Sequence, residues 1–287
     1  MENNNDIKPM NLQPSYYVAM HNNLIKAVSK NGLSIKAAKL WRIAIMNILK
    51  DDVDFQTYKL TVSDFAELLQ LKSSSNLYSE VDHLTDELLQ EIVRAEDEHG
   101  KLIKYQLVKE CVYDQGEITI RLHDNLKPYL LDLKHHYTQY VLSDILRMST
   151  TGTIRLYELI VEGVKKADPI KIKGEKVYLT IEDIRKAINL PDHQYQQFGM
   201  FKQRIIDKAV DEINDFSTTY FVQYKLDKAG GRKVVGIEFE LMNKAEAMHR
   251  RLIVPKDNTN TQNARRNQNR RASPKKSQKT RMDSEKK

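Results

Sequence analysis

The side chains of this sequence that are best suited to a specific chemistry lie in one predicted helix, residues 195–214. Apolar residues recur there every three or four positions, which is typical of a helix that buries one face. Gln and Arg, its main exposed types, carry paired hydrogen-bonding groups that match the major-groove edges of adenine and guanine. The pattern therefore predicts base recognition, with an ordinary solvated surface as the alternative. The helical period predicts a buried stripe of Phe198, Phe201, Ile205, Ala209 and Ile213 and a polar face of Gln196, Gln197, Met200, Gln203 and Arg204.

Charged residues are divided along the length of this helix. The acids Asp207, Asp211 and Glu212 lie beyond the polar face. If the helix enters the groove by its N-terminal half, these acids lie on the part that is outside the groove. Lys202 falls on the apolar side, so its ammonium group contacts a phosphate or its stem merely covers the core. Lys208 is a further predicted DNA contact.

The elements around this helix predict a winged helix-turn-helix. They are a helix (150–164), a strand (177–180), a second helix (181–194) and, after the helix described above, two strand-like runs (218–226 and 233–242). Thr180 and Asp183 form a capping-box pattern that starts the second helix. Lys228, Arg232 and Lys233 cluster at a Gly-Gly turn between the two runs. This is the wing position, from which basic side chains reach a minor groove or the backbone.

The first half of the chain repeats this order of elements. Ser34 is predicted to cap its first helix. The predicted elements are a helix (35–50), a strand (58–61), two helices (63–71 and 73–94) and two strand-like runs (102–111 and 117–122). The fold class is therefore α+β, with two tandem winged-helix domains. The predicted divisions are a flexible N-terminus (1–14), a first winged helix (15–135), a second and main DNA-reading winged helix (136–245) and a disordered basic tail (246–287).

The third helix of the first copy has a different predicted surface. Its apolar side comprises Leu77, Val81, Leu84, Leu88 and Ile92, and its outward side carries Glu80, Asp82, Asp86, Glu87 and Glu91. Phosphates repel an acidic face, so deep insertion into a groove is not expected along most of this helix. Only its start, with Lys72, Ser73 and Ser74, is predicted to contact DNA.

The positive charge of the chain is concentrated at its end. Residues 250–287 contain 13 Lys and Arg against three Asp and Glu, whereas the other 249 residues contain 33 basic and 36 acidic side chains. A mobile cationic tail gains free energy from counterion release on a polyanion such as nucleic acid. The alternative is a disordered end that only improves solubility.

Enzymatic chemistry is not predicted. Cys111 is the only cysteine, so the chain has no intramolecular disulfide and no cysteine metal site. His135 and His136 are adjacent, without the intervening residue that lets two imidazoles share a metal in rolling-circle nickases. Asp52 and Asp54 have the spacing of paired carboxylates in primases, but they lie in a predicted loop. We expect no catalytic residue, no metal and no cofactor.

A membrane location is not predicted either. The sequence lacks a run of about 18 apolar residues, and its polar first ten residues lack an apolar signal core. We expect a cytoplasmic protein without a membrane partner.

The chain resembles a known family, the plasmid replication initiators with two winged helices that act at direct repeats, or iterons, in theta-type origins. The resemblance covers about residues 15–245. Its most specific part is Thr153–Leu159 (TIRLYEL), which is similar to a family signature that opens the second domain. The other matching residues are Tyr17–Leu24, Leu33, Ser34, Phe198–Lys202, Ala209 and Glu212–Asn214. Thr150 and Thr153 stand where the family often has serine, a change that still permits helix capping.

The resemblance implies a function and a set of partners. The second domain would make the main specific contacts with double-stranded origin repeats. The first domain would add DNA contacts in the monomer and provide the interface of a homodimer. Monomers would open the origin for a host helicase, and dimers would repress the initiator's own gene. A winged-helix transcriptional repressor without a replication role, or a nickase or primase-type enzyme, is the alternative.

Overall fold

The structure is a computed structural model, which describes residues 7–71, 73, 75–96, 101–165, 168–228, 230–231 and 233–253. Three predicted DNA contacts, Lys72, Ser74 and Arg232, lie outside the described residues, as does the predicted tail from residue 254 onward.

The first half contains two groups of strands around three longer helices. Its elements are β1 (Ile7–Pro9), β2 (Tyr17–His21), α1 (Asn22–Lys26), β3 (Val28–Ser29), α2 (Ile35–Met46), β4 (Thr57–Thr61), α3 (Val62–Leu68), α4 (Ser75–Gln90), β5 (Ile92–Glu96), β6 (Leu102–Gln106), β7 (Val108–Asp114), β8 (Glu117–Leu122), a 3₁₀ turn (Asp124–Leu126) and α5 (Lys127–Leu130).

The second half ends in a long hairpin. Its elements are β9 (Tyr137–Val141), α6 (Ser143–Leu146), α7 (Thr151–Val164), a 3₁₀ turn (Pro169–Lys171), β10 (Lys173–Thr180), α8 (Ile181–Ala187), α9 (Phe198–Phe201), a π-helical stretch (Lys202–Asp207), α10 (Lys208–Phe216), β11 (Tyr220–Lys228), β12 (Val234–Asn243) and α11 (Lys244–His249). From α9 to α10 the helix is continuous, and we call residues 198–216 the reading helix.

The two halves share a strand order, which confirms the predicted repeat of a winged helix. In the first copy the sheet order is β1-β4-β8-β7, and in the second copy it is β10-β12-β11. In each, the strand before the second helix pairs antiparallel with the last strand of the hairpin. The order β4-β8-β7 is therefore the counterpart of β10-β12-β11.

Helix caps recur at matching places in the two copies. The hydroxyl of Thr61 accepts a hydrogen bond from the amide of Asp64, and the hydroxyl of Thr180 accepts one from Asp183, both at 3.0 Å. Ser34 caps α2 and Thr150 caps α7 in the same way. Each cap satisfies an amide that has no partner inside the helix. The predicted caps at positions 34 and 180 are confirmed.

Several predicted elements are wrong in extent. The helix predicted over 35–50 ends at Met46, and the helix predicted over 181–194 ends at Ala187. The helix predicted over 73–94 ends at Gln90, and Ile92, expected on its apolar side, belongs to strand β5. The strand-like run 102–111 is divided at Leu107 into β6 and β7, which lie in different sheets. β5 pairs along its length with β6. The β-branched pair at 92 and 93 fits a sheet better than a helix, and this pairing outweighs the helical spacing.

The two copies are joined by a small sheet and a buried ion cluster, and residues 1–247 form one compact unit. β2 of the first copy pairs antiparallel with β9 of the second. Two nitrogens of Arg42 on α2 contact the two carboxylate oxygens of Glu158 on α7 at 2.7 and 2.8 Å. Tyr140 donates to the same carboxylate at 2.6 Å, and Arg155 lies 3.2 Å from it.

Electrostatics keep this cluster ionised although both members of the main pair are buried. Burial, the largest single influence, raises the pKa of Glu158. The charges of Arg42 and Arg155 and the hydrogen bonds from Arg42 and Tyr140 together outweigh it, so the pKa lies below its ordinary value. Arg155 also donates to the carbonyl of Ala27 in the first copy at 2.8 Å. Both Arg155 and Glu158 belong to the family-like run 153–159. The two charged side chains of this run that contact the first copy therefore lie between the copies.

A second unit begins at Met248. Within it, residues 248–253 are described, and the amide of Arg251 donates to the carbonyl of Met248 at 2.9 Å.

Candidate nucleic-acid interface

The reading helix begins three residues later than the sequence predicts. Gln197 is its N-cap residue and Gln196 lies in the preceding turn, so their predicted position on a helix face is wrong. Both side chains are exposed. Gln196 lines a surface cleft of about 450 Å³ together with Lys233 of the wing. The turn and the wing therefore present these two side chains together.

A π-helical stretch changes which residues of the reading helix are buried. The buried side chains of Phe201 and Ile206 are five positions apart, the spacing of a π-helical turn. For this reason Ile205, which was predicted in the buried stripe, is half-buried. Phe198, at the start of the helix, is also half-buried. Ala209 is buried as predicted, as is Ile213. A pattern with a constant helical period cannot locate such an inserted residue.

The exposed side of the reading helix carries the predicted polar residues of its first half. Gln203 and Arg204 are exposed, and their side chains have no hydrogen bond or ion pair with the residues that the structure describes. Met200 is 41% exposed. Lys208 is exposed one turn later, 3.8 Å from Glu212. The first half of the helix therefore presents exposed hydrogen-bond donors that have no partner among the described residues.

The first acid on this helix is paired internally. Lys202 contacts both carboxylate oxygens of Asp207 at 2.8 and 2.9 Å, and the hydroxyl of Tyr224 donates to the same carboxylate. The hydrogen bond with Asp207 raises the pKa of Lys202 above its ordinary value. The ammonium group also lies 5.7 Å from the centre of the Tyr224 ring. The charge of Lys202 therefore neutralises that of Asp207. A DNA phosphate would have to share the ammonium group of Lys202 with this carboxylate.

The acids further along differ in their partners. Glu212 accepts a hydrogen bond from the amide of Ser149 at 2.9 Å and another from its hydroxyl. Glu212 is thus engaged by the protein itself, whereas Asp211 and Asp215 are exposed acids in the second half of the helix.

Arg185 on α8 organises the turn ahead of the reading helix, a role that the sequence analysis did not predict. Its guanidinium donates to the carbonyls of Pro191, at 2.8 Å, and Gln194, at 2.7 Å, with longer bonds to two others. It also lies 5.7 Å from the centre of the Phe201 ring. One side chain thereby joins α8, the turn and the reading helix. No local motif signals this, because the acceptors are backbone carbonyls.

The wing is the hairpin of β11 and β12, as predicted. Lys228 and Lys233 are exposed near its tip. Tyr178 on β10 donates to Asp227 at 2.8 Å. Tyr178 also packs directly on Gly236, where a Cβ atom would overlap the phenol ring. These contacts fix the base of the wing relative to the helices.

The first copy presents a smaller acidic face than the sequence predicts. Glu91 is buried, not outward-facing, and accepts hydrogen bonds from the hydroxyl of Ser29 and the amide of Lys30. Glu87 accepts from the amide of Ser34 at 2.9 Å, and Glu80 pairs with Lys36. Three of the five predicted acids thus contact the segment around the start of α2, which the sequence does not place beside them.

The exposed acids of α4 are Asp82 and Asp86. At the start of α4, Ser73 is exposed, and its hydroxyl lies 2.8 Å from that of Ser75. This end of α4 remains the predicted auxiliary DNA contact.

Neither a metal cluster nor a membrane span occurs within the described residues. No group of three or more His, Cys, Asp or Glu side chains there has the arrangement of a metal site. No described helix is both long and apolar enough to cross a bilayer.

Comparison with known families assigns both halves. The model for "Initiator Replication protein, WH1" matches residues 17–161, and the model for "Initiator Rep protein, WH2" matches residues 180–241. The chain belongs to the replication initiator family. The first match extends into α7 and the second begins at the end of β10, so together they include most of both winged helices.

Individual relatives are distant. The PI protein of Escherichia coli is 26% identical over 140 residues, which are 45% of this initiator and 45% of that protein. An uncharacterized 27.6 kDa protein of Escherichia coli is 22% identical over 69% of this chain and 85% of its own length. The solved structure of Pi initiator protein in complex with iteron DNA has a TM-score of 0.66 at 17% identity, covering 81% of this chain and 99% of that chain. This likeness shows the shared fold.

Proposed function

We propose that this initiator binds direct repeats of a plasmid origin through its second winged helix, without catalytic chemistry of its own. The observation that carries the proposal is the free pair Gln203 and Arg204 on the first half of the reading helix. The neighbouring acid, Asp207, is neutralised by Lys202. Among the described residues, the first half of this helix presents free donors and its neighbouring acid is paired, an arrangement that suits the edges of bases.

The proposed contacts divide into base readers and phosphate contacts. Arg204 and Gln203 would read base edges, with Gln196, Gln197 and Met200 beside them. Lys208, Lys228 and Lys233 would hold phosphates, because exposed lysines contribute charge without base selectivity. Lys202 would contribute only by sharing its charge with Asp207. Arg232 in the wing and Lys72, Ser73 and Ser74 in the first copy complete the proposed set.

The first winged helix would have two further roles. We infer that it supplies a homodimer interface and auxiliary DNA contacts, and that dimers repress the initiator's own gene. Monomers on adjacent repeats would strain nearby AT-rich DNA until a host helicase is loaded. The iteron DNA named with the solved Pi structure supports repeats as the target. We also propose that the two domains meet between residues 135 and 136. β2 lies before this boundary and β9 lies after it, and the two strands pair with each other.

The test is a footprint of the purified full-length chain on DNA that flanks its own gene. Salt of about 0.15 M weakens non-specific contacts, so specific protection stands out. We expect protected blocks at regular intervals over direct repeats.

Other footprints would contradict parts of the proposal. A single protected inverted repeat over the promoter indicates a repressor. Diffuse protection that salt removes, and that depends on residues 250–287, indicates that the tail is the binding element. Cleavage or extension of the DNA with a divalent metal would show an enzyme.

A further inference from the structure

A cleft of about 470 Å³ lies where the two winged helices meet. The first copy contributes α2 and the segments around β3 and β5, and the second contributes α7 and the end of α8. Gly32 and Asn189 approach each other here, because a Cβ atom at position 32 would lie 3.5 Å from the Asn189 amide nitrogen. The volume falls within the range of about 300–1,000 Å³ that is common for small-molecule sites.

Two residues that line this cleft each carry a buried polar atom without a partner among the described residues. One is the indole nitrogen of Trp41, a residue 5% exposed, and the other is Oε2 of Glu91, a residue 1% exposed. Its Oε1 is held by Ser29 at 2.6 Å and Lys30 at 3.0 Å, so the side chain is fixed in place. Buried donors and acceptors are nearly always satisfied, and each unsatisfied one destabilises the protein.

We propose that this cleft is a binding site for an amino-substituted nitrogen heterocycle, the chemical class that includes the free bases adenine, guanine and cytosine. An amino group on the ligand would donate to Oε2 of Glu91. A ring nitrogen would accept the N–H of Trp41. The flat ring would lie against the apolar part of the lining, which comprises Leu24, Ala27, Leu33, Val93, Leu107 and Ile188.

Occupation of the cleft would tie the two copies together. Trp41 and Glu91 belong to the first winged helix, and Ile188 and Asn189 belong to the second. A ligand that contacts both stabilises their packing, because it binds the folded arrangement and not the unfolded chain. This inference does not depend on the proposed reading of DNA.

The experiment compares two matched probes on the full-length chain. 2-Aminobenzothiazole has a ring nitrogen and an amino donor, and benzothiazole has the same rings without the donor. Ligand-observed NMR titration measures the dissociation constants. For compounds of this size we expect the amino compound to bind with a constant on the order of 1 mM or lower. It should bind about tenfold tighter than benzothiazole, because only it satisfies Glu91.

Two variants locate the binding. Glu91→Gln places an amide donor or a neutral oxygen where Oε2 stands and should abolish the tenfold preference. Trp41→Phe should weaken both probes, because it removes the indole donor and keeps an aromatic wall. Glu117→Gln is the matched control, since Glu117 lies on β8, outside the cleft, and pairs with Lys59 at a half-exposed site. Circular dichroism establishes that each variant is folded.

Three outcomes would overturn the proposal. One is that neither probe binds the unmodified protein. Another is that the two probes bind it equally well. The third is that the preference for the amino compound is the same in folded Glu91→Gln as in Glu117→Gln. The first two results need no variant, so an unfolded variant cannot leave the question open.

Discussion

The third helices of the two winged helices occupy equivalent places in the fold and have opposite surfaces. On the reading helix, Gln203 and Arg204 are exposed and free among the described residues, while Asp207 is paired with Lys202. On α4, the exposed charges are Asp82 and Asp86. Phosphates attract the first half of the reading helix and repel the exposed side of α4.

The difference teaches that the position of an acid matters more than the number of acids. Both helices carry several carboxylates. On the reading helix, Asp207 and Glu212 are held by neighbouring residues, whereas Asp211 and Asp215, both in its second half, are exposed. On α4, Glu80, Glu87 and Glu91 contact the segment around the start of α2, and only the outermost two remain toward solvent. The contrast therefore depends on packing around each helix.

The largest expected effect is on the free energy of unfolding, when the ion cluster between the two copies is disrupted. Glu158→Gln leaves Arg42 and Arg155 buried without their counter-charge, and we expect a loss of about 3–5 kcal/mol in the free energy of unfolding. Urea denaturation measures it. In Arg42→Met with Glu158→Gln, the loss should be smaller than the sum of the two single losses. Additive losses would mean that the pair does not couple the copies.

A smaller effect is expected on base recognition. Arg204→Ala should cost about 1–3 kcal/mol in binding and relax the preference at one base position. Binding to a set of repeats, each with one substituted base pair, measures this preference. A loss that is equal on every sequence would make Arg204 a phosphate contact and weaken the contrast between the helices.

The turn should contribute next. Arg185→Lys removes the planar fork that binds several carbonyls at once, so the turn loses its fixed geometry. We expect about a tenfold loss of affinity for the repeat, with a change in melting temperature of only a few degrees. Lys186→Gln, at an exposed neighbour, is the control. An unchanged affinity would show that the turn keeps its geometry without Arg185.

The smallest effect is expected on α4. Asp82→Asn with Asp86→Asn removes two exposed negative charges, and non-specific affinity for DNA should rise severalfold at low salt. Electrophoretic mobility shift at two salt concentrations measures it. Asp211→Asn, which removes an exposed negative charge from the reading helix, is the variant for comparison. If α4 lies far from DNA, its double variant will behave as the unmodified protein does.

Much of the fold was predictable because it is set by local chemistry. Thr180 and Ser34 mark helix starts by capping, and the spacing of Leu77, Val81 and Leu84 marks a buried helical face. The Gly-Gly turn indicated the wing. Duplication of the order made the two winged helices evident, and the family models match both.

The sequence by itself determined the order of elements, the exposed polar half of the reading helix and the placement of most positive charge in the tail, because each is a property of neighbouring residues. Only the tertiary structure decided the rest. It placed a π-helical turn between Phe201 and Ile206, buried Glu91, joined Arg42 to Glu158 and aimed Arg185 at the carbonyls of a turn. These features depend on groups that meet only after folding, many of them backbone atoms, and no local spacing encodes such distant partners.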